Sequence, residues 1–136
     1  MLNGVLEGLA GFFEGEGKIL LAYLFGSYAK GSRGPLSDVD VAVLLSEEPD
    51  TSKELLEYYL YLLNRLSEIL GDRVDLVILN VSPPLLKYQV IKHGRVVYSR
   101  DERARVEFEA RSLREYLDLS RLTERYDECL MGQALA

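Results

Sequence analysis

Phe25-Gly26-Ser27-Tyr28-Ala29-Lys30-Gly31-Ser32-Arg33-Gly34-Pro35-Leu36-Ser37-Asp38-Val39-Asp40 is the stretch whose reading decides the fold. An apolar run, Ile19 to Phe25, leads into it and a second, Val41-Ala42-Val43-Leu44-Leu45, leads out. Both read as strands, joined by a glycine-rich turn. Successive strand side chains point to opposite faces, so Asp38 and Asp40 point the same way, while Val39, Val41 and Val43 face a core. Two carboxylates side by side disfavour each other's ionisation unless positive charge sits between them. A divalent cation answers that need, and Mg2+ favours a few carboxylates together with phosphate oxygens.

What precedes the aspartates suits phosphate. Gly26 lets backbone approach a ligand closely, and Ser27 offers a hydroxyl at a predicted helix N-terminus, where unpaired N–H groups and the helix dipole favour an anion. Lys30 and Arg33 add positive charge. Gly26 to Gly31 has the glycine spacing of a P-loop, but Ser32-Arg33 stands where Lys-Ser/Thr is required, so it is not one.

At these residues the chain resembles the nucleotidyltransferase superfamily of DNA polymerase β, and in particular the minimal nucleotidyltransferases (MNT) that accompany HEPN toxins. That pattern is Gly-Ser, ten residues, then Asp-x-Asp. Here Gly26-Ser27 is followed by Tyr28 to Ser37 and then by Asp38-Val39-Asp40. The longer form GSxARGxxxxxSDxD also matches, with Lys30 in place of Arg. Lysine keeps the charge but loses the planar two-pronged contact to phosphate.

Composition sets the bounds. The chain has 136 residues, 48% apolar and 28% charged, which describes one soluble globular domain with a real core. Its net charge of −6 argues against binding nucleic acid through a basic surface, so no direct nucleic-acid binding is expected. The single cysteine, Cys129, forms no internal disulfide, which suits a reducing cytoplasm. No apolar run reaches membrane-spanning length, and the N-terminus lacks a basic region followed by an apolar core.

Elsewhere the sequence alternates helix and strand. Leu2 to Phe13 has apolar spacings of three and four, weakened by Gly4, Gly8 and Gly11. Lys18 to Phe25 is the first predicted strand, Tyr28 to Ser32 a short helix and Asp38 to Leu45 the second strand. Lys53 to Leu70 is the clearest helix, with an apolar stripe of Leu55, Tyr59, Leu62, Leu63, Leu66, Ile69 and Leu70. Asp50, Thr51 or Ser52 can cap it, and Gly71 stops it. Its Tyr58, Tyr59 and Tyr61 read as packing and surface.

Arg73 to Leu79 is the third predicted strand. An aspartate inside it, Asp75, is costly to bury unless paired or bound to metal. Asp72 is its rival but sits beside Gly71, where a turn makes aspartate ordinary. Pro83-Pro84 opens a helix from Leu85 to His93, followed by Gly94 and a fourth strand, Arg95 to Tyr98. His93, the only histidine, suits a helix C-terminus by the dipole alone, and no zinc site is expected. Asp101 to about Tyr126 reads as a long charged helix that packs on its own domain or meets a partner. Cys129 to Ala136 reads as a frayed tail.

The predicted architecture is an α/β (α+β) fold, a small mixed sheet of about four strands packed with helices. The resemblance implies the same fold, in a single domain over 1–136 with its motif core at about 18–98. It further implies that Gly26 and Ser27 hold the triphosphate of ATP, with Lys30, Arg33 and Ser37 beside them. Asp38 and Asp40 would hold two Mg2+ ions, and Asp75 would complete a metal site and accept the proton of the attacking hydroxyl. The implied activity is AMP transfer to a tyrosine of a partner HEPN ribonuclease toxin, with the chain as its antitoxin. Two alternatives stay open: an antitoxin that neutralises by binding alone, and transfer to a small molecule of the aminoglycoside type. Base selectivity and a homo- or hetero-oligomeric state are not legible.

Overall fold

A computed structural model of the chain describes residues 2–26, 39–71 and 73–135. The predicted short helix at Tyr28 to Ser32 lies outside the described residues. The elements run α1 (Leu2–Gly15), β1 (Ile19–Phe25), β2 (Val39–Leu45), α2 (Ser52–Leu70), β3 (Val74–Ile78), a 3-10 turn (Leu79–Val81), α3 (Pro84–His93), β4 (Arg95–Ser99) and α4 (Glu102–Leu135). The four strands form one mixed sheet in the order β3-β2-β1-β4. β1 pairs antiparallel with β2 and β4, and β2 pairs parallel with β3.

β1 and β2 are the two inner strands and are covered on both faces, which is why each reads as a continuous apolar run. On one face Val39, Val41, Val43 and Leu45 join Leu24, Leu76 and Ile78 beneath Leu9 and Phe13 of α1 and Leu62 and Leu66 of α2. On the other, Ala42 and Leu44 join Leu21 and Tyr23 beneath Val90 of α3 and Phe108 of α4. The register of β1 slips between Ile19 and Leu21, so Leu20 and Leu21 both pack toward the α3–α4 side while Ile19 and Ala22 pack toward α1 and α2.

Local chemistry sets the boundaries. Thr51 caps α2 by accepting from the Glu54 N–H at 3.1 Å, and Glu54 accepts from the Asp50 N–H at 3.2 Å. Gly71 ends α2 in the left-handed region (φ 66), its N–H donating to the Ser67 carbonyl at 2.9 Å. β3 stops at Ile78 rather than Leu79 because Asn80 turns back on β2. Its amide oxygen accepts from the Leu45 N–H at 2.7 Å and its NH2 donates to the Leu45 carbonyl at 3.0 Å. The Tyr58 and Tyr61 hydroxyls both donate to Glu16, at 3.1 and 3.0 Å, joining α2 to the end of α1.

α4 crosses the sheet antiparallel to α3. Lys87 meets Glu115 at 2.6 Å and Tyr88 stacks on Tyr116 at 3.9 Å, while Ile91 and Lys92 share a cleft with Val106 and Glu109. The buried Tyr23 hydroxyl donates to Glu109 at 2.8 Å, and burial, reinforced by that bond, pushes the phenol well above its ordinary value. The predicted frayed tail is corrected: α4 runs 34 residues to Leu135, about 51 Å at 1.5 Å per residue. Residues 121–132 are exposed, so packing does not hold them helical. They contain no proline, and Arg121, Leu122, Glu124, Arg125, Glu128, Leu130 and Met131 are good helix formers.

Candidate active site

Both inner strands and β3 present one end at the same edge of the sheet. β1 finishes there at Phe25, and β2 and β3 begin there at Val39 and Val74. Antiparallel pairing sets Phe25 opposite Asp40, and parallel pairing sets Asp40 opposite Asp75. Paired residues on neighbouring strands point to the same face, so Phe25, Asp40 and Asp75 form a row across three strands about 4.8 Å apart. The alternation expected of β2 holds, since Val39, Val41 and Val43 are buried on the opposite face. Asp75 is exposed. The burial cost that marked it in the sequence therefore does not arise; its register opposite Asp40 is what brings it into the row.

Gly26 follows directly. Its φ is 72, in the left-handed region, and a Cβ built there would run into the Asp40 carboxylate. Only glycine leaves room for that carboxylate while turning the chain out of β1. The turn and the carboxylate pair thus occupy one place, with Gly26 on the β1 side of Asp40 and Asp75 on the β3 side.

Of the remaining candidates, Asp38, Ser27, Lys30, Arg33 and Ser37 lie outside the described residues, as does Asp72. Among the described residues no group of three carboxylates, histidines or cysteines comes together. Asp40 and Asp75 face each other across β2 and β3, and the sequence places Asp38 two residues from Asp40. An oxygen-only donor set of this kind fits Mg2+. His93 sits in the last turn of α3, beside Lys92.

Arg73 stands two residues before Asp75. It immediately precedes β3, and its carbonyl accepts from the Val39 N–H at 2.8 Å. A cavity of about 510 Å³ lies at the other end of the sheet, lined by Lys18 and Leu45 and by Glu47, Glu48, Asp50, Glu54 and Glu57. Those carboxylates repel a triphosphate, so its size does not make it the nucleotide site.

Residues 7–103 match the polymerase beta nucleotidyltransferase family. The chain belongs to that family. It is 34% identical over 85 residues to the protein adenylyltransferase MntA of Shewanella oneidensis, covering 62% of this chain and 58% of that protein. It is 37% identical over 73 residues to a provisionally named protein adenylyltransferase of Methanocaldococcus jannaschii, covering 54% of this chain and 73% of that one. The matched stretch thus spans little more than half of MntA. Among solved structures, a toxin–antitoxin complex with AMP-PNP superposes with a TM-score of 0.74 at 25% identity, covering 93% of this chain and 98% of that one. The MNT antitoxin complex with a tri-AMPylated Shewanella oneidensis HEPN toxin gives a TM-score of 0.73 at 23% identity, covering 96% and 99%. The second likeness speaks for the fold, which is the polymerase β-like mixed sheet predicted from the sequence.

Proposed function

We propose that this chain is a protein adenylyltransferase that moves AMP from ATP onto a tyrosine hydroxyl of a partner HEPN ribonuclease toxin and acts as its antitoxin in the cytoplasm. The observation that carries this reading is the row of Asp40 and Asp75 with Gly26 pressed against Asp40. Its support is membership of the nucleotidyltransferase family and the adenylyltransferase relatives. Among the described residues no helix is long and apolar enough to cross a membrane.

In this reading Gly26 and Ser27, with Lys30, Arg33 and Ser37, hold the triphosphate. Asp38, Asp40 and Asp75 hold Mg2+, two ions in the reading taken from the family. When bound, Mg2+ supplies positive charge to the phosphate oxygens and to the attacking and leaving oxygens. The hydroxyl oxygen of the acceptor forms a bond to the α-phosphorus as the bond from that phosphorus to the α–β bridging oxygen breaks. Pyrophosphate departs with the electron pair. The hydroxyl proton passes to the Asp75 carboxylate, which the edge strand β3 presents to solvent. Positioning does most of the work, since the reacting groups need alignment more than activation.

The test is intact-mass analysis of a purified HEPN partner incubated with this chain, ATP and Mg2+, beside the Asp38→Asn, Asp40→Asn double variant. A gain of one or more AMP units with the wild type, absent with the variant, is the expected result. A stable complex formed by both versions with no mass gain rejects transfer and leaves neutralisation by binding.

A further inference from the structure

The face of α4 that packs on the domain does not end where the domain does. Phe108 and Ser112 are buried, and Glu115 and Tyr116 meet Lys87 and Tyr88 near the start of α3. Leu119, Leu122, Tyr126 and Leu130 continue that face at spacings of three and four. They are 43, 61, 65 and 46% exposed, so α4 carries its apolar face past its own cover. A basic stripe runs beside it. Arg111, Arg114, Arg121 and Arg125 share one side of the helix with Asp118, and all are exposed. Among the described residues none of the four arginines has an ion-pair or hydrogen-bond partner, whereas Arg103 and Arg105, earlier in α4, are paired. Arg121, Leu122 and Arg125 line one hollow together with Asp118.

We propose that this half of α4 docks into the acidic cavity of a second copy of the chain, each copy giving its helix to the other. The cavity of about 510 Å³ at the far end of the sheet is the complement of the helix. Glu47, Glu48, Asp50, Glu54 and Glu57 line it, and among the described residues none of them meets a cation within ion-pair distance. Lys18 is the cation in its wall and lies over the Tyr58 ring at 5.0 Å. Tyr58 and Tyr61 stack, their hydroxyls held by Glu16, and give Leu122 and Tyr126 an apolar surface to cover. Charge selects a second copy as the occupant. Unpaired arginines on one surface meet unpaired carboxylates on another, in a chain whose net charge of −6 otherwise drives copies apart. Exchange closes the contact at two chains, because each contributes one helix and one cavity. The cavity lies at the opposite end of the sheet from Asp40 and Asp75, so the pairing leaves the carboxylate row open and does not depend on the reaction proposed above.

Sedimentation equilibrium over a concentration series reads the assembly of the chain alone, with no HEPN partner present. Arg121→Glu with Arg125→Glu reverses the helix, and Glu48→Arg with Glu57→Arg reverses the cavity. All four positions are exposed, and melting temperature checks that each variant is folded. The expected result is a wild-type dimer whose dissociation constant rises at least about tenfold with either reversal. The cavity reversal makes the chain less acidic, so general repulsion alone would tighten the pairing rather than weaken it. Reversing helix and cavity in one chain restores the constant to within about threefold of wild type. Mixing the two singly reversed chains restores it as well, since each helix then meets a cavity of opposite charge. A wild-type chain that stays monomeric overturns the proposal. So does a dimer that either reversal leaves unchanged, or a loss that neither the combined variant nor the mixture restores. A monomeric wild type whose helix reversal abolishes capture of the HEPN partner assigns the stripe to that partner and excludes the second copy.

Discussion

Asp40 and Asp75 stand opposite one another in the parallel register of β2 and β3, on the face of the sheet that also carries Phe25. The two residues are far apart in sequence, and one strand pairing brings them together. Like charges so placed favour a cation between them. Replacing Asp75 by Asn keeps its shape and removes one charge. AMP transfer is expected to fall by about 10²–10⁴-fold, the range lost with a general base. Stability without metal does not fall, because a like-charge pair has been relieved. Mg2+ raises the melting temperature of the wild type by binding the folded state alone, and fails to do so in Asp40→Asn. Thermal melts with and without Mg2+ check this. An equal Mg2+ response in both proteins rejects the carboxylate row as the metal site.

Gly26 and Gly71 share a left-handed backbone, with φ of 72 and 66, but not their surroundings. A Cβ at Gly71 would meet nothing within 4 Å, whereas one at Gly26 would strike the Asp40 carboxylate. Alanine at either position costs roughly 1–2 kcal/mol for the backbone. Only Gly26→Ala also turns Asp40 away from Asp75. Urea melts should therefore show similar losses for the two variants, while AMP transfer drops at least about tenfold for Gly26→Ala alone. Equal activities would mean that Asp40 tolerates the shift.

The apolar runs of β1 and β2, with Gly26 at the end of the first and Asp40 at the start of the second, are local features, and these carry through from sequence to fold. Asp75 was legible as a strand residue but for the wrong reason: the sequence cannot tell an edge strand from an inner one, so an exposed carboxylate reads as a buried one. Asn80 acts through a strand pairing, which no single segment encodes. The slip at Ile19 and Leu21 likewise leaves no mark, since a doubly covered strand has apolar residues in every register. Cys129 to Ala136, read from the sequence as a frayed tail, is helical as far as Leu135, because it holds no proline to break the helix.

Tyr23 should make stability fall at high pH. Burial first, and then its hydrogen bond to Glu109, hold its phenol protonated well above the ordinary value near 10. Below that value both folded and unfolded chains keep the proton, and the contribution is fully present. Above it the unfolded chain loses the proton while the folded one retains it, so stability drops by about 1.4 kcal/mol per pH unit. Tyr23→Phe removes this slope at a cost of about 1 kcal/mol at neutral pH, because Glu109 keeps Arg105 at 3.1 Å as a partner. Urea midpoints of the two proteins between about pH 9 and 11 decide it: parallel curves would reject the assignment.

Asn80 substitutes for a missing strand at the end of β2. Its amide meets both the N–H and the carbonyl of Leu45, a residue only 3% exposed. Alanine at this position leaves two backbone groups without partners in a site that water reaches poorly. The expected cost is about 2–3 kcal/mol, more than a deleted surface hydrogen bond and less than a lost core side chain. Aspartate keeps the acceptor for the Leu45 N–H but turns a carboxylate oxygen toward the Leu45 carbonyl, so it should cost as much as alanine or more. Leu45 lies at the opposite end of β2 from Asp40, so AMP transfer measured well below the melting temperature should stay within about twofold of wild type. Urea melts and single-turnover rates on the same two variants separate the effects. A loss of activity without a loss of stability would place Asn80 in the site rather than in the frame that holds it.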